Sequence, residues 1–552
     1  MHNPSAGARP AELHLHPQIT GNDIPDEIWR IIAGYTLQTG LEPLYMGVNR
    51  SFYNYALDMR YREVRWIKLD KPFTQRLQRL QEPLVAKHVQ RVYIRAWFIE
   101  YLLQRDALIK TNKAKTLMKR SFTSILSKFQ AEPEKELVLG GGKGRPISGF
   151  SSKEIIDSLI TAVKGMTNVI ELNFEWRDLP LNKDTRVFLT STRTSFDKSL
   201  RKLVLRAQIP KFKELLAITN FDNIDELEFH FDYRTGGMKG IKEKPVKLHF
   251  DAESDSEDLP TRPTQDPDSQ DLLNTIIPFI NHRQTSLRSL FISSSSSADL
   301  AYFYEALPAV SLSSLREFGS RISFNQRSLS DPSGILRILK ARAVSLRRVS
   351  LSAIWPEQFI IPMDRASIYK QKRDEWTPIN DRLLSHSSYL SGLEALELPF
   401  LSVVKTIPLL RRSSDTLTRL CLTDHYLSKD EVAEVLGVFS HRPYDLQHLH
   451  LEVGLLDLPL LLLLATRSPG LFSLVLIFNS VSYFLEPEVE PRHAAIHDWG
   501  LSELEVYERR YQPQSPEARF MSSVADSIEA QVMHRIRMLV PKINVLKGHP
   551  IR

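Results

Sequence analysis

At 552 residues and 42% hydrophobic content, the chain can bury a core larger than one minimal domain needs, and length alone suggests several domains. The net charge of +7 is modest for that length, and the single cysteine, Cys421, excludes an internal disulfide framework and any cysteine-rich zinc site. No stretch reaches the roughly 18–20 uninterrupted apolar residues of a membrane span. The most apolar run, Leu455 to Ala465, contains Asp457 and Pro459 and reads as a buried helix. The first residues lack the basic-then-apolar pattern of a secretory signal, so a cytoplasmic or nuclear protein is expected.

Residues 1–20 read as a disordered N-terminus. Residues 21–60 read as a helical domain. Asp23 can cap the free amides ahead of Pro25, which suits a first helical turn, and Ile28, Ile31, Ile32 and Tyr35 follow at helical spacing. A second apolar series runs through Leu41, Leu44, Tyr45, Val48, Phe52 and Ala56. Helices this few and short cannot enclose a core of their own, so they must pack on the rest of the chain or on another protein.

From Tyr61 a signature recurs, apolar-x-x-apolar-x-apolar. Copies include Tyr61/Val64/Trp66, Val89/Val92/Ile94, Val169/Leu172/Phe174, Leu200/Leu203/Leu205, Ile224/Leu227/Phe229 and Leu287/Leu290/Ile292. A degraded copy at Leu315/Phe318 precedes Leu346/Val349/Leu351, Leu393/Leu396/Leu398, Leu417/Leu420/Leu422, Leu446/Leu449/Leu451, Leu471/Leu474/Leu476 and Leu501/Leu504/Val506. From Leu398 the third positions advance by 24, 29, 25 and 30 residues. The last two apolar residues of a copy are two apart and share one face of a short strand, and room for one helix separates the copies. Ser428 and Glu431 form a capping box ahead of Val432, Val435, Leu436 and Phe439. Strand plus helix, repeated at this period, is the leucine-rich-repeat arrangement, although the copies lack its fixed Asn. The expected fold class is α/β: short N-terminal helices followed by a curved, irregular solenoid over 61–510, then a helical segment or tail over 511–552. A doubly wound α/β domain is the competing architecture.

Mobile insertions are expected near 131–152, which is rich in Gly, Pro and Ser, and near 236–272, which includes the acidic DAESDSED. A polar insertion is expected at 355–390. Between Arg105 and Lys128 seven basic residues face one acid, Asp106, giving a basic helix that could hold phosphates. Gly140-Gly141-Gly142-Lys143-Gly144 lacks the Ser/Thr of a phosphate loop, and Pro146 blocks the helix that should follow. His448, His450 and Glu452 share one strand face but stand about 6–7 Å apart in steps, too far for one ion without other ligands. Cys421 sits in a repeat strand beside Arg419 and carries no nucleophile signature. No catalytic residues, metal or cofactor are expected.

Residues flanking the inward pair of each strand should face outward. They are Lys202 and Val204, Glu226 and Glu228, Arg348 and Ser350, Arg419 and Cys421, and His448 and His450. These are the candidate substrate contacts.

Residues 23–57 resemble an F-box. Ile24-Pro25-Asp26-Glu27-Ile28 matches the family's opening, Ile31, Ile32, Tyr35 and Leu37 its body, and Val48-Asn49-Arg50-Ser51-Phe52 through Ala56 its last helix. Asn49 replaces the common Cys or Ser, and Phe52 the usual Trp. With VNRSFYNYAL followed directly by YREVRW, the segment is similar to the large, divergent F-box families of mushroom-type fungi. The resemblance implies a substrate receptor of an SCF-type ubiquitin ligase. It implies adaptor contacts at Ile24, Pro25, Ile28, Ile31, Ile32, Leu44, Val48 and Phe52, a Skp-type adaptor leading to a cullin and a RING subunit, and an unknown protein substrate on the solenoid. A repeat scaffold without a ubiquitin role, capped by residues 23–57, is the second reading. A nucleic-acid-associated protein using residues 105–128 is the third.

Overall fold

The computed structural model describes residues 24–37, 50–96, 99, 102–103, 151–176, 181–232, 267–296, 298–354, 365–482, 496, 498–508, 532, 534–540, 542–543 and 545–547. They form one open parallel sheet. Its strands are β1 (Glu63–Trp66), β2 (Arg91–Arg95), β3 (Glu171–Trp176), β4 (Lys202–Gln208), β5 (Glu226–Asp232), β6 (Ser289–Ser294) and β7 (Glu317–Ile322). They continue with β8 (Arg348–Ala353), β9 (Ala395–Pro399), β10 (Arg419–Leu427), β11 (His448–Leu456), β12 (Ser473–Val481), β13 (Glu503–Glu508) and β14 (Val545–Lys547). Spatial order follows chain order from β1 to β14 without a reversal. A doubly wound sheet would reverse at a switch point, so that alternative is overturned. No described helix is long and apolar enough to cross a membrane.

The signature explains the sheet. Leu203, Leu227, Leu290, Phe318, Val349 and Leu396 stand in one register row, continued by Leu420, Leu449, Leu474 and Leu504. All are buried beneath the connecting helices, and burial of each such side chain is worth about 1.5–3 kcal/mol. The degraded copy keeps its place because Ser320, buried where an apolar residue should stand, meets the Tyr304 hydroxyl at 2.7 Å. Burial also raises the Tyr304 pKa, which keeps the phenol neutral.

Adjacent repeats are joined mainly through the main chain. The carbonyl just before each strand accepts two successive amides of the next repeat: Gln90 from Ile170 and Glu171, Arg316 from Arg347 and Arg348, Thr418 from Gln447 and His448. No side-chain identity is required, which accounts for register surviving without a fixed Asn. Arginines add a second tie. Arg412 donates to the carbonyls of Leu383, His386 and Leu384 at 2.7, 2.7 and 2.8 Å, and Arg342 to that of Ala309 at 2.8 Å.

Four expected boundaries move. The sheet does not end at 510, because β14 adds to β13 inside the segment expected as a tail. The stretch expected as a polar insertion holds a 21-residue helix, Arg365–Ser385, whose Trp376, Ile379 and Leu383 are buried. The helix Ser152–Gly165 begins inside the expected 131–152 loop, with Ser151 and Glu154 closing a capping box like that of Ser428 and Glu431. Residues 267–272 are likewise helical, with Ser269 and Leu272 buried. The rest of both expected loops lies outside the described residues, as do the basic stretch 105–128, the acidic stretch 251–258 and the Gly140–Gly144 run.

Candidate functional site

Two surfaces carry the sequence candidates. The first is the N-terminal hairpin of α1 (Asp26–Leu37) and α2 (Arg50–Tyr61). The Pro25 carbonyl accepts the Ile28 and Trp29 amides to start α1, and Asp26 and Glu27 favour its first turn through the helix dipole. Trp29 meets Phe52 edge to face at 5.4 Å, and Ser51 bonds Asp26. The far side of α2 buries Ala56, Leu57 and Tyr61, and Asp58 holds His88 Nδ1 at 2.6 Å. Thus α2 serves as a joint between α1 and the first repeat.

Among the expected adaptor contacts, Ile28, Ile31 and Ile32 are 44%, 56% and 37% exposed and lie on one side of α1. Pro25 is exposed and Ile24 half-buried. Phe52 is a correction: it is buried against Trp29 and organises the hairpin instead of offering a contact surface. Trp29 was missed, although one residue past Ile28 it stands a quarter-turn or so round the same helix, beside the Ile row and toward Phe52. Leu44 and Val48 lie outside the described residues.

The second surface is the open face of the sheet. Along β1–β5 it is a mesh of ion pairs. Arg91 and Lys202 approach Glu171 at 3.4 and 3.6 Å, Arg95 meets Glu175 at 2.7 Å, and Arg206 meets Asp232 at 2.9 Å. Lys202 also reaches Glu228 at 3.9 Å, and His230 meets Glu228 at 2.7 Å. Lys202, Glu226 and Glu228 belong to this mesh, while Val204 corrects an expectation. It stands between Asn173 and Glu228 in register and is buried, because the long charged side chains around it leave it no open surface.

Glu228 gives the mesh a pH signature. Burial opposes its ionisation, but the His230 hydrogen bond and the charges of His230 and Lys202 prevail and hold its carboxyl below the ordinary value. A depressed carboxyl contributes stability above its unfolded pKa and loses it as pH falls through the folded one. Acid titration of unfolding stability should therefore be flatter in Glu228→Gln than in wild type below about pH 4.5. Equal slopes would remove Glu228 from the acid response. Neighbouring Glu226 has the opposite sign, because burial raises it.

From β6 onward the face changes character. Small side chains (Gly319, Ser350, Ala395, Cys421, Ser473, Val475) floor a groove of about 670 Å³. Arg348, Ser350, Arg419, Cys421, His448 and His450 all line it, so the candidates from three strands, β8, β10 and β11, converge, and the β4 and β5 candidates stay outside. The sequence reading missed Phe291, Gly319 and Glu397. Phe291 lies so close over Gly319 that a Cβ there would clash with the Cδ2–Cε2 edge of its ring, 2.7 Å from Cε2. Glu397 accepts the Ser350 hydroxyl at 2.6 Å, and Arg348 pairs with Glu317 at 2.8 Å. Burial, then the charges of Glu397, Glu452 and Asp424, push the Cys421 thiol well up, so it stays protonated at neutral pH. Among the described residues no three His, Cys, Asp or Glu side chains converge on a metal-sized site.

Comparison with models of known protein families finds no match, and comparison with curated protein sequences finds none either.

Proposed function

We propose that the chain is a non-catalytic substrate receptor of an SCF-type ubiquitin ligase. Its N-terminal hairpin acts as an F-box on a Skp-type adaptor that leads to a cullin and a RING subunit, and its leucine-rich-repeat-like solenoid holds a protein substrate. The observation that carries the reading is the row Ile28, Ile31 and Ile32, exposed on a helix already sealed on its other side by Phe52. A helix serving only to cap the repeats would turn its isoleucines inward. Here Trp29 meets Phe52, and Ile28 and Ile31 keep about half of their surface in solvent, open to a partner groove, a standard mode of helix recognition. The sheet's open face supplies a second, separate surface, so one chain can hold two proteins at once and raise their effective concentration.

Ile28→Asp combined with Ile31→Asp should abolish copurification of a Skp-type adaptor and leave the circular dichroism and melting of the repeats unchanged, since both side chains are already in water. Retention of the adaptor by the folded double variant would refute the assignment. Adaptor-free recovery of the wild-type chain would favour the scaffold reading, and nuclease-sensitive partners the nucleic-acid reading.

A further inference from the structure

The groove across β6–β13 has a chemistry of its own. In the β1–β5 half, most cations have an acid within ion-pair distance, so a ligand there would have to break existing pairs. In the groove, Glu317 and Arg348 neutralise each other, and Glu505 accepts the Tyr507 hydroxyl at 2.8 Å. Glu397 differs. Its one bonded neighbour among the described residues is the Ser350 hydroxyl, and no cation reaches it. On the next strand Arg419 is exposed and has no acid within ion-pair distance among the described residues. An unmatched carboxylate and an unmatched guanidinium therefore stand on adjacent strands above a floor of small side chains. Three strands away, Phe291 presents a half-buried ring propped on Gly319. That offset is about 14 Å at the usual strand spacing, which an extended chain covers in roughly four residues.

We propose that this groove binds an extended peptide segment of a substrate, with a Lys or Arg side chain on Glu397 and a large apolar side chain on Phe291 about four residues away. Arg419 meets an acidic side chain or a main-chain carbonyl beside that cation. The shape favours a peptide over a compact ligand, because the groove is open and is lined by eight successive strands, β6 to β13. Its charge disfavours a polyanion, because Glu317 already takes up the Arg348 guanidinium while the Glu397 carboxylate has no cation within ion-pair distance among the described residues. The inference rests on the receptor reading and names the substrate class for it.

The test is selection of a random phage-displayed dodecapeptide library on the full chain, followed by affinity measurement of a selected synthetic peptide. Recovered sequences should be enriched in Lys or Arg four residues from an aromatic or large aliphatic residue. Glu397→Gln and, separately, Phe291→Ala should each weaken the selected peptide about tenfold, whereas Glu171→Gln in the ion-pair mesh should leave it unchanged. Because Glu397→Gln keeps an acceptor for Ser350, folding should survive; Val475→Arg, which fills the floor from another strand, gives a second route to the same loss. Failure to select any peptide, selection of peptides without a cation, or equal affinity in Glu397→Gln and wild type would overturn the proposal. Adaptor copurification, measured on the same proteins, reports independently on the receptor reading.

Discussion

Lys372→Met is expected to cost about 3–5 kcal/mol of stability, because it strands a buried carboxylate. Lys372 projects from the helix Arg365–Ser385 to Asp424 at 2.5 Å, and both residues are buried, at 8% and 6% exposure. Asp424 also holds a left-handed backbone conformation, φ +63°, which Asp and Asn tolerate better than most residues. The pair thus ties the long helix to the far end of β10. Removing the ammonium leaves the carboxylate desolvated, with the Thr423 hydroxyl at 3.2 Å as its remaining side-chain donor and no cation to balance it among the described residues. Lys372→Met with Asp424→Asn should recover much of the loss, since Asn suits the same backbone and carries no charge. Trp376, buried on the same helix 4.9 Å from Phe324, reports the transition by fluorescence in a urea titration. A midpoint for Lys372→Met equal to wild type would mean that the carboxylate finds water in the folded state.

Gly470→Ala should destabilise the chain by at least about 2 kcal/mol through overpacking. A Cβ at Gly470 would lie 2.5 Å from Tyr444 Cα and 2.7 Å from Tyr444 C, and these atoms belong to the backbone of the preceding repeat. A flexible side chain could move aside, but here one turn of the solenoid must shift against the next. In a repeat array stability is a sum of unit and neighbour terms, so the damage should concentrate near the β11–β12 junction. Hydrogen exchange should show β12 and β13 amides losing protection while β3 and β4 keep theirs. Gly437→Ala is the matched control. It ends the helix Lys429–Gly437 with nothing within 4 Å of the new methyl, so it should be neutral or stabilising by up to about 1 kcal/mol. Uniform loss of protection across the sheet would show that the array unfolds as one unit.

Much of the fold was legible because its strongest signal is local. Apolar residues two apart announce a strand face, and Ser428 with Glu431 announces a helix start, without reference to anything distant in the chain. The copies at Leu203, Leu290 and Leu449 fell into one register row for that reason. The capping box at Ser151 and Glu154 was equally local, but the Gly-rich composition before it obscured the helix. The copy at Leu315/Phe318 reads as degraded because Ser320 holds its third position, and the partner that accounts for that serine, the Tyr304 hydroxyl, comes from the preceding helix.

The sites divide in the same way. Sequence alone determined that the chain is an α/β repeat array, which strand positions face outward, and that Ile28, Ile31 and Ile32 share one side of a helix. Each of these follows from a period of 2 or about 3.6 residues. Only the tertiary structure decided that Phe52 turns inward to Trp29, that Val204 is closed off while Ser350 is not, and that among the described residues Glu397 has no cation within ion-pair distance whereas Glu171 and Glu228 do. Those outcomes depend on the size and charge of a residue one repeat away. Neighbours across the sheet are 24 to 80 positions distant in the chain, as with Lys202 and Glu226 or Arg95 and Glu175, and the insertions vary that distance from repeat to repeat. A local period specifies which way a side chain points. What it meets there is set by parallel strand pairing, which the main-chain carbonyls impose regardless of the side chains they align.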